Sequence, residues 1–125
     1  MSKVIIAGSR SIGDMHHVEK AIRLSGFDVT QVVCGAARGV DTLGADWARA
    51  QSDHWEKPHN VSVKYFKPDW EQGKHAGLMR NVEMAKHADA LIAIWDGASK
   101  GTKHMIKEAK AKGLKVFVYK PFERN

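Results

Sequence analysis

The run Ala90-Leu91-Ile92-Ala93-Ile94-Trp95 constrains this chain more than any other segment. It is too short to span a membrane, and it lacks the alternation of a strand wetted on one face. It suits an inner strand of a parallel sheet, covered on both sides. Parallel strands need long crossover connections, usually helical. The rest of the chain supplies them. Short β-branched runs at Lys3–Ala7, Val29–Cys34, Val61–Phe66 and Val116–Tyr119 alternate with segments of helical period. The first helix is expected from about Met15 to Leu24. The second begins at Val40 and carries Leu43, Gly44, Trp47 and Ala48 on one stripe. Leu78, Met79, Val82, Ala85 and Ala88 mark the third. In the fourth, Thr102 stands where a cap is wanted, Met105, Ile106 and Ala109 form the inner face, and Gly113 suits a left-handed end. Alternation of this kind predicts an α/β fold: a Rossmann-like, doubly wound, parallel five-stranded sheet. Right-handed crossovers favour the order 3-2-1-4-5.

The chain has 125 residues, the usual size of one domain, and residues 1–125 are read as a single nucleotide-binding domain. With 43% apolar and 27% charged residues it has the composition of a soluble globular protein. No apolar stretch reads as a leader or a membrane span, so a cytoplasmic location and no membrane partner are expected. The single cysteine, Cys34, fits a reducing compartment and reads as a small buried filler. The formal charge of +6 favours anionic partners. Many of the lysines, however, crowd onto the fourth helix and just after it (Lys103, Lys107, Lys110, Lys112, Lys115), where they read as a solvated face.

Ligands of open α/β sheets bind outside the carboxyl ends of the strands, near the point where the strand order reverses. Three glycine-bearing turns fall on that edge: Gly8-Ser9-Arg10-Ser11, Gly35-Ala36-Ala37-Arg38-Gly39 and Asp96-Gly97-Ala98-Ser99-Lys100-Gly101-Thr102. Glycine lets backbone amides approach a phosphate, and a helix start adds positive partial charge. Ser9, Ser99 and Thr102 add hydroxyls, and Arg10 and Arg38 add cations of planar, forked geometry. Asp41 complements a helix dipole or accepts a ribose hydroxyl. The dinucleotide fingerprint is absent, since only Gly8 and Gly13 follow the first strand. No P-loop occurs. His16 and His17 are neighbours on a helix and read as surface residues. Trp47 reads as core, and Trp70, in a polar loop, as either loop packing or a stacking platform for a base. No metal and no cofactor are expected.

With these blocks in view, the chain resembles the SLOG superfamily, which comprises Smf/DprA proteins and LOG phosphoribohydrolases, and within it the small YspA-type branch. The carriers are Val4–Asp41's two glycine turns, the block Gly73–Met84 with Arg80-Asn81, the run Ala88–Gly97, and Ser99-Lys100-Gly101-Thr102. The resemblance implies a Rossmann-like fold that binds nucleotides or their derivatives, and a homodimer or larger homo-oligomer. LOG enzymes cleave the bond between a base and ribose 5′-monophosphate. Arg80 falls on their arginine, but Asn81 replaces their lysine and Met105 stands at their catalytic glutamate. Ligand-binding residues are therefore expected at Gly8, Ser9, Arg10, Gly35, Ala36, Arg38, Gly39, Asp41, Arg80, Asn81, Asp96, Gly97, Ser99, Gly101 and Thr102. The leading expectation is binding of a nucleotide-derived small molecule such as ADP-ribose, NAD or a nucleoside monophosphate. The alternative is N-glycosidic hydrolysis, with Arg80 on phosphate and Asp96 or Asp41 as the carboxylate. A third reading, single-stranded nucleic acid as in the Smf/DprA relatives, is the weakest. Nucleic acid is expected to be an unlikely partner, because the lysines are not interleaved with exposed aromatics.

Overall fold

The computed structural model describes residues 2–35, 39–53, 60–69, 71, 73 and 75–121. Its elements run β1 (Ser2–Gly8), α1 (Met15–Ser25), β2 (Val29–Cys34), α2 (Val40–Ser52), β3 (Ser62–Tyr65), α3 (Ala76–His87), β4 (Ala90–Ile94), α4 (Lys100–Ala111) and β5 (Lys115–Tyr119). The strands form one parallel sheet in the order β3-β2-β1-β4-β5. This is the expected α/β architecture and strand order.

The pleat sorts the core into two halves. Val4 and Ile6 of β1 point to the side of α1 and α2, with Val32, Ile92 and Ile94. Ile5 and Ala7 point to the side of α3 and α4, with Val33, Leu91, Ala93, Met84, Met105 and Ala109. Every residue of β4 is buried, which is why its sequence does not alternate. Each fully buried isoleucine contributes about 1.5–3 kcal/mol relative to exposure. Cys34 and Ile12 are buried in the first half, and Trp47 packs against it half-buried. His16 is exposed and His17 half-buried. No helix among the described residues is long and apolar enough to cross a membrane.

Two helix details differ from expectation. Ser99, not Thr102, caps α4: the Ser99 hydroxyl accepts from the Thr102 amide, and Thr102 lies buried within the first turn. A serine three residues ahead of a threonine satisfies an end amide that the threonine itself cannot reach. On α3, Leu78 and Met79 are exposed at 41% and 51%, and the buried face is Ala76, Asn81, Met84 and Ala85. Of the apolar residues that mark this helix, Ala85 and Ala88 are buried, whereas the polar Asn81 takes a core position that the apolar period does not mark. Ser52 closes α2, and residues 54–59 lie outside the described set.

Candidate functional site

The chain order reverses between β1 and β4, where Gly8 pairs with Ile94. Above this junction lies a cleft of about 400 Å³. Its wall is built by the turn after β1, the starts of α2 and α4, and the outer turns of α3. Of the expected residues, Gly8, Arg10, Asp41, Arg80, Asn81, Asp96, Ser99, Gly101 and Thr102 line it together. Ser11, Ala7, Met84 and Met105 also line it. Ser11 belongs to the first glycine turn, whereas Met84 is not among the apolar residues that mark α3.

Four expected residues are not among those that line the cleft. Ser9 is buried, and its hydroxyl accepts from the Asp96 amide at 3.0 Å, tying the first turn to the third. Gly39 has φ of 77°, and a Cβ there would collide with the Ser9 and Arg10 backbone at 2.8–2.9 Å. Gly35 is buried beneath Arg80, where a Cβ would stand 2.8 Å from the guanidinium carbon. Gly97, with φ of 86°, forms the exposed tip of the third turn. Ala36 and Arg38 lie outside the described residues, as do Lys74 and Trp70.

Arg80 projects from α3 across the cleft. Its Nη1 donates to the Gly35 carbonyl at 2.8 Å and its Nη2 to Asn81 Oδ1 at 3.4 Å. Its Nε is buried with no hydrogen-bond partner among the described residues. Burial lowers the arginine's pKa from its ordinary value, Arg10 pushes the same way, and Asp41 and Cys34 oppose them. The guanidinium stays charged, because arginine does not deprotonate in proteins. A half-desolvated cation beside a second cation is what an incoming anion relieves.

The carboxylates differ in their surroundings. Asp41 is buried in the first turn of α2 and is electrostatically coupled to Arg80. Asp96 is exposed, and its Oδ1 accepts from the Ala98 and Ser99 amides, both at 2.8 Å. Those two amides, ahead of contacts with Ser9 and Ser11, hold its carboxyl below the usual carboxylate range. Asp96 thus shapes the turn that delivers Ser99 and Gly101 to the cleft. Asn81 is buried, and its Nδ2 donates to the Gly101 carbonyl at 3.3 Å and to His104 Nδ1 at 3.1 Å. His104 Nε2 in turn lies 3.5 Å from Glu108 Oε1. Sequence reasoning missed His104, because its partner Asn81 comes from a different helix. Met105 is buried and lines the cleft.

Comparison with known proteins follows this geometry. No family profile matches the chain. It is 36% identical over 122 residues to the Gene 61 protein of Mycobacterium phage D29, covering 93% of this chain and 94% of the relative. The chain belongs to the family of that phage protein. Its fold is similar to that of DNA processing protein A (DprA) from Streptococcus pneumoniae, with a TM-score of 0.66 and 22% identity. That match covers 93% of this chain, which spans about half (49%) of the DprA chain. At that identity the likeness shows a shared fold.

The DprA likeness overturns one expectation, that nucleic acid is an unlikely partner: a chain of this fold is a DNA-processing protein. The physical ground of that expectation also fails. Trp95, at the end of β4, lines a hollow with Lys100, Lys103, Lys107 and Lys110 of α4. Lys120 lies 5.3 Å from its ring centroid. Basic and aromatic residues are interleaved in space although not in sequence.

Proposed function

We propose that the chain, acting as a single domain of the YspA-type branch, binds a nucleotide or nucleotide-derived molecule through its phosphate in the cleft at the carboxyl edge of the sheet. The observation that carries this reading is the convergence of Arg80 and Arg10 with the first turn of α4 on one concave site. Arg80 is held by Gly35, and its buried Nε has no hydrogen-bond partner among the described residues. Helix N-termini and glycine turns favour phosphate there. Asp41 and Asp96, on opposite walls, suit ribose hydroxyls. A cleft of about 400 Å³ falls within the size range of small-molecule sites. Binding is favoured over glycosidic cleavage, because the thioether of Met105 can neither stabilise an oxocarbenium-like centre nor activate water. Asp96 is committed to its own turn.

Calorimetry with AMP, ADP-ribose and NAD tests the reading. At least one should bind to the wild type. Arg80→Ala should weaken it by about 1.5–3 kcal/mol, the usual worth of a hydrogen bond to a charged group, or roughly tenfold to a hundredfold. No heat with any of the three, or equal affinity in the variant, would refute it. Release of free base from AMP would move the assignment to a hydrolase.

A second reading, binding of single-stranded nucleic acid, is supported by the likeness to a DNA-processing protein and by the charge of +6. Its test is anisotropy of a labelled oligonucleotide at low salt, where phosphate contacts are strongest.

A further inference from the structure

The hollow on the outer flank of α4 is separate from the cleft. It measures about 600 Å³ and lies between Trp95, Ile106 and a row of lysines. Lys100, Lys103, Lys107 and Lys110 follow one another at three, four and three residues. That spacing puts all four on one side of the helix, within roughly a quarter-turn. From first to last they extend about 15 Å along the axis. Among the described residues, no carboxylate lines the hollow. Glu108 lies on the neighbouring flank, facing His104.

Two features set this row apart from ordinary solubilising charge. Lys100 and Lys103 occupy the first turn of α4, which holds no acidic residue. Cations there oppose the helix dipole at a cost of about 0.3–1 kcal/mol each, so helix stability does not account for them. The second feature is Trp95. Its indole Nε1–H donates to the Ser99 carbonyl at 3.0 Å, fixing the ring beside the lysines. A fixed aromatic next to a line of cations matches the stacking platform and phosphate track of single-strand binding sites.

We infer that the α4 flank is a docking surface for single-stranded nucleic acid, with a base on Trp95 and phosphates along Lys100, Lys103, Lys107 and Lys110. The inference rests on the second functional reading and adds where the strand lies: outside the cleft, along the opposite flank of α4. A row of about 15 Å accommodates roughly four phosphates at the ~3.4 Å charge spacing of a helical strand. Four contacts give a slope of log affinity against log salt of about −3.

The experiment is anisotropy of a labelled oligothymidylate against salt. It uses the wild type, the charge reversal Lys103→Glu/Lys107→Glu, the packing-conservative Trp95→Leu, and the cleft variant Arg10→Ala. A control, Arg23→Glu/Lys86→Glu, makes the same change of net charge on exposed positions of α1 and α3. The inference predicts binding by the wild type with a slope near −3. It predicts loss of about tenfold or more in affinity for the α4 reversal, with its slope falling to roughly −1.5. It also predicts about tenfold loss in Trp95→Leu from lost stacking, and near-wild-type binding by Arg10→Ala. The reversed positions are exposed, so this variant keeps the fold even if Trp95→Leu does not. Equal losses in the α4 reversal and the control would overturn the inference, as would a loss confined to Arg10→Ala. Absence of wild-type binding at low salt would instead refute the nucleic-acid reading on which it rests.

Discussion

Gly35 shows how much of the site depends on one missing Cβ. Arg80 lies across its peptide, and the guanidinium atoms nearest a hypothetical Cβ are 2.8–2.9 Å away. The obstacle is the end of a flexible side chain, so Gly35→Ala should change stability by less than about 1 kcal/mol, within the range of tolerated substitutions. It should nevertheless displace Arg80 and weaken nucleotide binding severalfold. Paired denaturation and calorimetry measure the two effects separately. Asp96 makes a different prediction. Its carboxyl lies below the ordinary 3.8, because the folded state donates two amides to the charged form. A depressed folded pKa contributes stability that is complete above the unfolded pKa and is lost as pH falls through the folded value. The stability gap between wild type and Asp96→Asn should therefore be constant above about pH 5 and shrink below the ordinary carboxylate pKa. A gap independent of pH down to acid unfolding would contradict the hydrogen-bonding role. At this scale the sequence disclosed residue types better than their duties. Arg10, Asp41 and Gly101 were legible because they belong to the turns and helix starts that follow strands, and Arg80 was legible through the family resemblance. Ser9 and Gly39 are not among the residues that line the cleft, since which side of a turn faces a cleft depends on contacts between turns.

Elements were legible where local pattern and burial agree. Val29–Cys34 is β-branched and buried, and it forms β2 without shift. Ala90–Ile94 is fully buried and forms β4. The apolar residues that mark α3 do not by themselves give its buried face, because Leu78 and Met79 are exposed while Asn81 is buried. Asn81 tolerates burial because its amide donates to Gly101 and His104, and neither partner is near it in sequence. The start of α4 shows the same limit: Ser99 and Thr102 are both good caps, and only the turn set by Asp96 decides between them. Ser99→Ala should cost about 1 kcal/mol of stability through the lost cap, measured as a fall in denaturant midpoint at unchanged slope. No change would mean that Thr102 or solvent replaces the cap. The opposite end of the scale is Gly8, where a Cβ would meet the Ile94 carbonyl and the Val40 side chain. Gly8→Ala should destabilise by about 1–3 kcal/mol through overpacking.

For the molecule as a whole, alternation of strand and helix with right-handed crossovers was enough to give the sheet order, because few chain paths satisfy both rules. The order in turn places the cleft, since only the β1–β4 junction leaves a gap between helices of opposite layers. The juxtaposition of Trp95 with the α4 lysines was not legible, because it joins the end of one element to the flank of another. The charge of +6 has two destinations in this account: Arg10 and Arg80 inside the cleft, and the lysine row outside it. The central claim, that the cleft holds a nucleotide by its phosphate, is tested most directly by amide NMR of the labelled protein titrated with AMP and, in parallel, with adenosine. The account predicts that AMP shifts the signals of Gly8, Arg10, Gly101 and Thr102 and that adenosine, lacking the phosphate, shifts them far less. Shifts of equal size with both, or shifts confined to residues away from the β1–β4 junction, would contradict it.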